Sequence, residues 1–279
     1  MDKLTLCLAC IHCEPGEIEE NLKKIKIVCS EAKRKQAQFV CFPEACISGY
    51  VLNPEELLKP FPASYVIDEL VNISRTFSLT IMAGFIEYEQ HDTAPYITQV
   101  ITNRNGLVGK YRKTHLSPLE EKCYVAGNKI ELYTVDNFCI GIQLCYETHF
   151  PELSTIMSLM GADIIFAPHA SPRGSAKEKF NSWLRHLSAR AFDNSVFVVA
   201  CNQVGKTKAN LYFPGVALAL GPDGRLIDFL LTEDKEDILT VCVDKNYLLR
   251  IRSHKMRYFL PRRRPELYFL LTENKRAPL

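Results

Sequence analysis

The chain has 279 residues, of which 47% are hydrophobic and 24% are charged, a composition typical of a soluble globular protein with a sizeable core. Its 34 basic and 32 acidic side chains nearly cancel to a formal charge of +2, so no charge excess indicates a nucleic-acid or membrane-surface protein. No apolar run approaches the roughly eighteen residues of a membrane span, and the amino terminus does not resemble a signal peptide. We therefore predict a cytoplasmic protein that binds neither membranes nor nucleic acids.

The first half of the sequence alternates apolar strand patterns with helical ones. The segment Asn103-Arg104-Asn105-Gly106 ends in Asn-Gly, which is a strong signal for a hairpin turn. It joins the last two strands of this half. The predicted elements are a strand over 4–11, a helix over 17–34, a strand over 38–42, a helix over 67–77 and strands over 80–86, 97–102 and 108–111.

The second half repeats this theme and again has more strands than helices. Its predicted strands lie near 131–144, 162–167, 196–201, 215–220, 226–231 and 237–243, and its helices near 151–160 and 178–193. The mixture of β-α units and hairpins favours two facing sheets with helices outside, which is a four-layer sandwich in a single domain over residues 1–279.

Eleven cysteines, an odd number scattered through apolar runs, favour reduced and mostly buried thiols. Cys7, Cys10 and Cys13 have the spacing of an iron-sulfur ligand run. Because a strand alternates its side chains between two faces, Cys7 and Cys13 are expected on one face of the first strand and Cys10 on the other. We therefore predict no metal site at these cysteines.

Cys145 follows an apolar strand over 138–144, and Pro151 with Glu152 begins the helix after it. A free cysteine is commonly a small buried hydrophobe. At the carboxyl end of a strand in a parallel β-α-β unit, however, a thiol lies where open α/β sheets place their chemistry. Free N–H groups and a helix dipole there are expected to favour the thiolate and to provide an oxyanion site.

Two other strand ends carry groups that complement this thiol. Glu44 follows the strand over 38–42, and Lys113 follows the strand over 108–111. Either residue alone is more commonly a solvated surface group. Together with Cys145 they supply a nucleophile, a general base and a cation for an oxyanion.

The strings FPEACISGY, YRKTHL and CYETHFPEL resemble the three signatures of the nitrilase, or carbon-nitrogen hydrolase, superfamily in their order and spacing. The similarity extends through WLRHLSARAFDN to the closing RRRPELY and covers nearly the whole chain. The resemblance implies an αββα sandwich and a catalytic triad of Glu44, Lys113 and Cys145. It places a further active-site glutamate at Glu120, with the adjacent Glu121 as the alternative.

The resemblance also implies a mechanism that requires no metal or other cofactor. Glu44 takes the thiol proton of Cys145, which attacks an amide-type carbon, while Lys113 and the backbone N–H of Tyr146 hold the oxyanion. The leaving amine departs, and water activated by Glu44 hydrolyses the thioester. Glu120 is expected to orient Lys113 or the substrate amine.

The substrate is predicted only as a small amide or N-carbamoyl compound. Some carbamoyl-amino-acid hydrolases of the superfamily bind a substrate carboxylate through arginines just after the nucleophile, where this chain has Glu147, Thr148 and His149. This departure from the arginines disfavours such an anionic substrate. Glu147 is expected to be the counter-ion if the substrate is an amine, although the aromatic and imidazole groups nearby could instead only close loops around the site. The predicted substrate-binding residues are Tyr50, Tyr146, Glu147, His149 and His169.

Three other functions share these residues or this fold. Tyr146-Glu147 resembles the Trp-Glu that follows the cysteine of true nitrilases, but those chains are usually longer, so an amidase is favoured. Acyl transfer from the same thioester to an amine is a further alternative, and a non-catalytic scaffold is disfavoured because every triad position is retained.

The carboxyl-terminal segment over 256–279 is too apolar for a free tail. In the superfamily such tails lie across a neighbouring subunit, so the resemblance implies a homodimer or a higher homo-oligomer. The alternative is a tail that folds back on its own sandwich.

Overall fold

A computed structural model describes residues 2–57, 61–89 and 94–273 of the chain. The first half forms β1 (Lys3–Cys10), α1 (Ile18–Arg34), β2 (Phe39–Cys41), α2 (Pro54–Leu57), α3 (Ala63–Phe77), β3 (Thr80–Glu87), β4 (Tyr96–Asn103) and β5 (Gly106–Arg112). The second half forms β6 (Tyr133–Val135), β7 (Phe138–Ile142), α4 (Pro151–Leu159), β8 (Ile164–His169), α5 (Ala176–Asn194), β9 (Phe197–Asn202), β10 (Gly205–Lys206), β11 (Tyr212–Phe213), β12 (Gly215–Leu220), β13 (Leu226–Glu233), β14 (Asp237–Asp244) and α6 (Lys245–Ser253).

The strands form two six-stranded sheets and one small ribbon. The first sheet has the order β14-β1-β2-β3-β4-β5, the second has the order β13-β12-β9-β8-β7-β6, and β10 pairs with β11. The centre of each sheet is parallel, from β1 to β3 in the first and from β7 to β9 in the second. Helices connect these parallel strands, as crossover connections require.

Three apolar layers hold the sheets and helices together. The inter-sheet layer includes Phe39 and Phe166, which come from opposite sheets and stack with ring centroids 4.7 Å apart. On the outer face of the first sheet, α1 and α3 bury residues such as Leu22 and Leu70, and on that of the second, α5 buries Trp183. The predicted αββα sandwich is confirmed.

The cysteines of β1 lie as the strand alternation predicts. Cys10 belongs to the inter-sheet layer, whereas Cys7 and Cys13 lie under the helices of the first sheet. Within the described ranges, no three His, Cys, Asp or Glu side chains are grouped closely enough to hold a metal ion. In the same part of the chain, no helix has the length and apolar composition needed to cross a membrane.

Several element boundaries differ from the sequence prediction. The strand predicted over 131–144 is a hairpin of β6 and β7, because the chain turns at Asp136, whose φ is 51°. The helix predicted from 67 begins at Ala63, directly after Pro62. The helix α6 was not predicted, since it buries only Leu248 and Ile251 and thus has a weak apolar pattern. Residues 274–279 of the predicted tail lie outside the described residues.

The strand directions determine where the loops after β2, β5, β7 and β8 lie. Because β5 and β3 are both antiparallel to β4, β5 runs parallel to β2, and the carboxyl ends of both strands lie at one edge of the first sheet. The carboxyl ends of β7 and β8 share an edge of the second sheet. Residues from these four strand ends form the cleft described next.

Candidate active site

Glu44 lies in the loop after β2 and is fully buried. The backbone N–H of Ala170, which follows β8 in the other sheet, donates to Glu44 Oε2 at 2.9 Å. The side-chain amide of Gln203 donates to the carbonyl oxygen of Glu44 at 2.8 Å. Groups from the second sheet therefore fix both the backbone and the carboxylate of this residue.

The strand β3 approaches the Glu44 turn so closely that only glycine fits. A Cβ at Gly84 would lie 2.7 Å from the backbone nitrogen of Ala45 and 2.2 Å from Oε1 of Gln99. Ala45 itself has a φ of 52°, in the left-handed region that side chains rarely adopt. The position of Glu44 thus depends on a strained turn that packs directly against the backbone of Gly84.

Lys113, in the loop after β5, is buried between two carboxylates. Its Nζ donates at 2.8 Å to Oε1 of Glu44 and at 2.8 Å to Oε1 of Glu120. The Tyr50 hydroxyl also donates to Glu120 Oε1, at 2.9 Å. Glu121 is exposed on the other side of its short helix. The structure therefore brings Glu120, and not Glu121, to the cluster.

The charges of this cluster shift one another's pKa values. Burial raises the pKa of Glu44 to about 7, with Lys113 opposing and Glu120 reinforcing the shift. For Glu120, Lys113 outweighs the effect of burial and lowers the pKa. For Lys113, both carboxylates outweigh burial and raise the pKa. Lys113 and Glu120 therefore stay charged, while Glu44 can gain or lose a proton near neutral pH.

Cys145 begins the elbow helix, a short 3₁₀ helix over Cys145–His149 that follows β7. Its φ of 43° is in the left-handed region, which is strained for a side chain and common at functional sites. Burial raises the thiol pKa to about 12, Glu44 adds to this shift, and Lys113 opposes it. Desolvation and the nearby carboxylate outweigh the cation, so the thiolate is not favoured as the helix start suggested. The thiol needs a base, which is the role predicted for Glu44 from the sequence.

Two cavities adjoin Cys145, and we name them by their walls. The Tyr50 cavity, of about 230 Å³, is lined by residues including Tyr50, Leu52, Glu120, Cys145, Tyr146 and Leu211. The α5 cavity, of about 250 Å³, is lined by residues including Cys145, His149, His169, Arg173, Lys179 and His186. The loop over 171–173 lines both cavities, so together they form one cleft with the thiol between its halves.

The predicted aromatic and imidazole residues all line this cleft. Tyr50 and Tyr146 line the Tyr50 cavity, and His149 and His169 line the α5 cavity. The ring of His169 packs on Trp183 with centroids 4.2 Å apart, and its Nδ1 hydrogen-bonds to the Ala167 carbonyl at 2.7 Å. Burial lowers the pKa of His169 well below its usual value, so this imidazole is neutral.

Glu147 is the predicted site residue that the structure does not bring to the cleft. Its carboxylate is fully buried and accepts hydrogen bonds from the hydroxyl of Tyr111, the backbone and hydroxyl of Thr114, and the backbone of Leu144 and His115. These donors use the oxygens that a substrate amine would need. The expectation of Glu147 as a substrate counter-ion receives no support from this geometry.

Sequence reasoning missed Lys179 and Arg173, which line the α5 cavity. Lys179 lies in the first turn of α5, which the sequence predicts as a helix near 178–193 without giving this residue a role. The only signal in the sequence was that Lys179 follows soon after the strand predicted over 162–167, which corresponds to β8 and whose carboxyl end adjoins the cleft. Sequence reasoning also missed Gln203, which holds the Glu44 backbone.

The cleft has the groups for nucleophilic attack on an acyl carbon. The backbone N–H of Tyr146, at the start of the elbow helix and next to Cys145, has no partner within that helix. Lys113 adds a buried ammonium, and Glu44 adds a carboxylate that can exchange a proton near neutral pH. Nucleophile, base and oxyanion donors are thus within one cleft.

Comparison with known proteins agrees with this arrangement. The model of the carbon-nitrogen hydrolase family matches residues 7–253. A probable nitrilase of Schizosaccharomyces pombe is 28% identical over 272 residues, covering 94% of this chain and 96% of that protein. An N-carbamoylputrescine amidase of Solanum lycopersicum is 27% identical over 278 residues, covering 91% of this chain and 90% of that protein.

The fold is also that of a solved enzyme structure. The crystal structure of an amidase from Nesterenkonia superposes with a TM-score of 0.81, at 20% sequence identity, and covers 96% of each chain. That amidase is assigned to the nitrilase superfamily. With the family model matching most of its length, this chain belongs to the carbon-nitrogen hydrolase family of the nitrilase superfamily.

Proposed function

We propose that the protein hydrolyses the C–N bond of a small amide or N-carbamoyl compound through a thioester on Cys145. The observation that carries this proposal is the buried Lys113 ammonium, 2.8 Å from both Glu44 and Glu120, beside a strained cysteine that opens onto a cleft. One relative is the N-carbamoylputrescine amidase of Solanum lycopersicum, which supports including N-carbamoyl compounds among the candidate substrates.

In the first half-reaction, ionised Glu44 accepts the proton of the neutral Cys145 thiol as Sγ bonds to the substrate carbonyl carbon. The carbonyl π electrons move to oxygen, and the Lys113 ammonium and the Tyr146 N–H stabilise the oxyanion. The tetrahedral centre collapses, the C–N bond breaks, and Glu44 returns its proton to the leaving nitrogen. The products are ammonia or an amine and an acyl thioester.

In the second half-reaction, Glu44 takes a proton from water, and the resulting hydroxide attacks the thioester carbon. The C–S bond breaks, the thiol regains its proton, and the carboxylic acid leaves. Glu120 keeps Lys113 charged and directed at the reaction centre through their 2.8 Å contact. Every proton in this cycle moves through Glu44, which fits its pKa of about 7.

Release of ammonia from a panel of small amides, N-carbamoyl compounds and nitriles tests the proposal. Wild type should be active on at least one amide or carbamoyl compound, and Cys145→Ala should fold normally and lose essentially all turnover. Intact-mass spectrometry should find the acyl adduct only on the peptide that contains Cys145. An adduct on another cysteine, or full activity of Cys145→Ala, would overturn the mechanism.

Two alternatives use the same thioester and appear as distinct outcomes of this panel. A nitrile hydrolase would be active on nitriles and inactive on the corresponding amides. An acyltransferase would give an N-acyl product when a second amine is added, in place of the free acid. A scaffold protein would give no adduct with any compound.

A further inference from the structure

Lys179 is a half-buried lysine whose ammonium contacts the loop over 171–173 at the wall of the cleft. It lies in the α5 cavity, where its Nζ donates to the Ser171 hydroxyl at 2.7 Å and to the Pro172 carbonyl at 3.1 Å. Among residues 2–57, 61–89 and 94–273, no carboxylate lies within ion-pairing distance of this ammonium. Both of its acceptors are neutral, so the charge itself is uncompensated.

Three features make this position unfavourable for a charge in the empty cavity. Burial lowers the pKa of Lys179, Cys145 partly opposes this shift, and the neighbouring Arg173 adds to it. The residue also lies in the first turn of α5, where the helix dipole favours anions. A lysine on an exposed helix would extend its ammonium into water instead. An anionic ligand in the cavity would offset these penalties by its attraction to the ammonium, to Arg173 and to the helix N-terminus.

The other ionisable groups of the α5 cavity do not supply that anion. The carboxylate of Glu178 accepts from the backbone N–H and the hydroxyl of Ser175, at 2.9 Å and 3.1 Å, and so caps its own helix. Burial lowers the pKa of His149, His169 and His186, which leaves these imidazoles neutral at neutral pH.

Arg173 adds a second cation at the rim of the same cavity. Its backbone is held by the Tyr212 carbonyl at 3.0 Å, with a φ of 78°, while its guanidinium is exposed. In the described part of the chain, no carboxylate pairs with it. Lys179 and Arg173 thus bring two cations to the lining of the α5 cavity, whereas Glu147, the acid expected to bind an amine, is not part of that lining.

We propose that the α5 cavity binds a carboxylate of the substrate through Lys179 and Arg173. The natural substrate is then a small amide or N-carbamoyl compound that carries an acid group, such as the monoamide of a dicarboxylic acid. This inference rests on the proposed function, because Cys145 and Lys179 line one cavity of about 250 Å³, where a single small molecule can contact both. The acid group is recognised from the α5 side of the cleft, not from arginines after the nucleophile.

A matched set of amides of equal length tests this charge preference. Succinamate, methyl succinamate and β-alaninamide place a carboxylate, a neutral ester and an ammonium at corresponding positions. We expect kcat/KM to be about tenfold or more higher for succinamate than for the ester, and lowest for β-alaninamide, as a charged hydrogen bond predicts. N-carbamoyl-β-alanine, with its carboxylate on the leaving amine, shows which side of the scissile bond carries the acid.

The variant Lys179→Met should lower the succinamate-to-ester ratio of kcat/KM toward one, and Lys179→Arg should restore part of it. Lys177→Met removes the same charge from an exposed residue of the same helical turn that does not line the cavity, so its ratio should equal that of wild type. An equal loss on all three amides in Lys179→Met would mean that Lys179 acts on the thiol, and would overturn the inference.

A binding measurement separates this inference from the proposed function. Calorimetric titration of Cys145→Ala with succinate should show saturable binding that weakens about tenfold or more in Cys145→Ala/Lys179→Met. Equal binding to both proteins, or no binding to either, refutes the carboxylate site, whatever the catalytic results. Hydrolysis of neutral amides without any preference for succinamate refutes it too, and leaves the proposed function intact.

Discussion

At the scale of single residues, the proposed chemistry depends on the transfer of a proton from the Cys145 thiol to the Glu44 carboxylate. The thiol has a pKa of about 12 and is neutral, so it needs a base, while Glu44 has a pKa of about 7 and is partly ionised at neutral pH. Lys113 is paired with both carboxylates and stays charged through the cycle. Glu44 therefore transfers protons, whereas Lys113 keeps its charge and sets the electrostatic potential around Glu44 and Cys145.

The raised pKa of Glu44 predicts how activity depends on pH. Below about pH 7, Glu44 is protonated and cannot accept the thiol proton, so kcat/KM of wild type should fall tenfold per pH unit as the pH decreases. Glu44→Gln should lose roughly 10²-fold or more of the turnover while keeping its thiol. An acid limb near the ordinary carboxylate value would contradict this assignment.

Glu120 and Glu121 offer a matched pair of substitutions. Glu120→Gln removes one of the two carboxylates that hold Lys113, and should lower kcat/KM roughly 10²-fold. Because the charge of Glu120 helps to raise the pKa of Glu44, the same variant should shift the acid limb of the pH profile to lower pH. Glu121→Gln changes an exposed residue and should match wild type in both measurements. An effect in Glu121→Gln alone would reverse the assignment.

At the scale of elements, Glu147 joins the elbow helix to the loop after β5. It lies two residues after Cys145, and its donors include Tyr111 and Thr114, on either side of Lys113. The nucleophile and the cation come from different sheets, and this carboxylate connects their backbones. The buried carboxylate of Glu147 therefore positions the two segments that carry Cys145 and Lys113.

Glu147→Ala should destabilise the protein and misalign the site. Removing a carboxylate that satisfies several buried donors should lower the free energy of unfolding by about 3 kcal/mol, measured by urea denaturation. Glu121→Gln is the control here as well, with stability equal to wild type. A Glu147→Ala variant of wild-type stability and altered substrate preference would instead restore Glu147 to the pocket.

At the scale of the whole molecule, α4 and the tail expose apolar side chains on the two sides of one groove. The tail's Phe269, Leu270 and Leu271 are 58%, 55% and 64% exposed, and Leu159 of α4 is 53% exposed. A cavity of about 620 Å³ separates the tail from α4, which is larger than either cavity at Cys145. Such a patch indicates a protein-protein contact, in keeping with the predicted homo-oligomer.

Light scattering at micromolar concentration should find a particle of at least twice the 31.8 kDa chain mass. Leu270→Glu places a charge in the apolar patch and should shift the population toward single chains. Ile27→Glu makes the same kind of change on α1, where Ile27 is 67% exposed and far from the tail in the chain, and should leave the mass unchanged. A wild-type particle of 31.8 kDa would refute the prediction.

The sandwich and the triad positions could be predicted from sequence because both depend on local patterns. Apolar runs define the strands, and Glu44, Lys113 and Cys145 each follow such a run closely. Strand direction then places Glu44 and Lys113 at one edge of the first sheet and Cys145 at an edge of the second. The two cysteine faces of β1 follow from alternation in the same way. These features need no knowledge of side-chain contacts between distant elements.

The direction of each polar side chain and its charge state were decided only by the tertiary structure. Glu147 accepts hydrogen bonds from β5 and from the loop after it. Lys179 lies in α5, which packs on β8 through Trp183 and His169, and lines one cavity with the thiol. Burial then sets the pKa values of Cys145 and Glu44, because desolvation depends on every surrounding element. The sequence by itself determined which groups are available, and the fold decided which of them face the substrate.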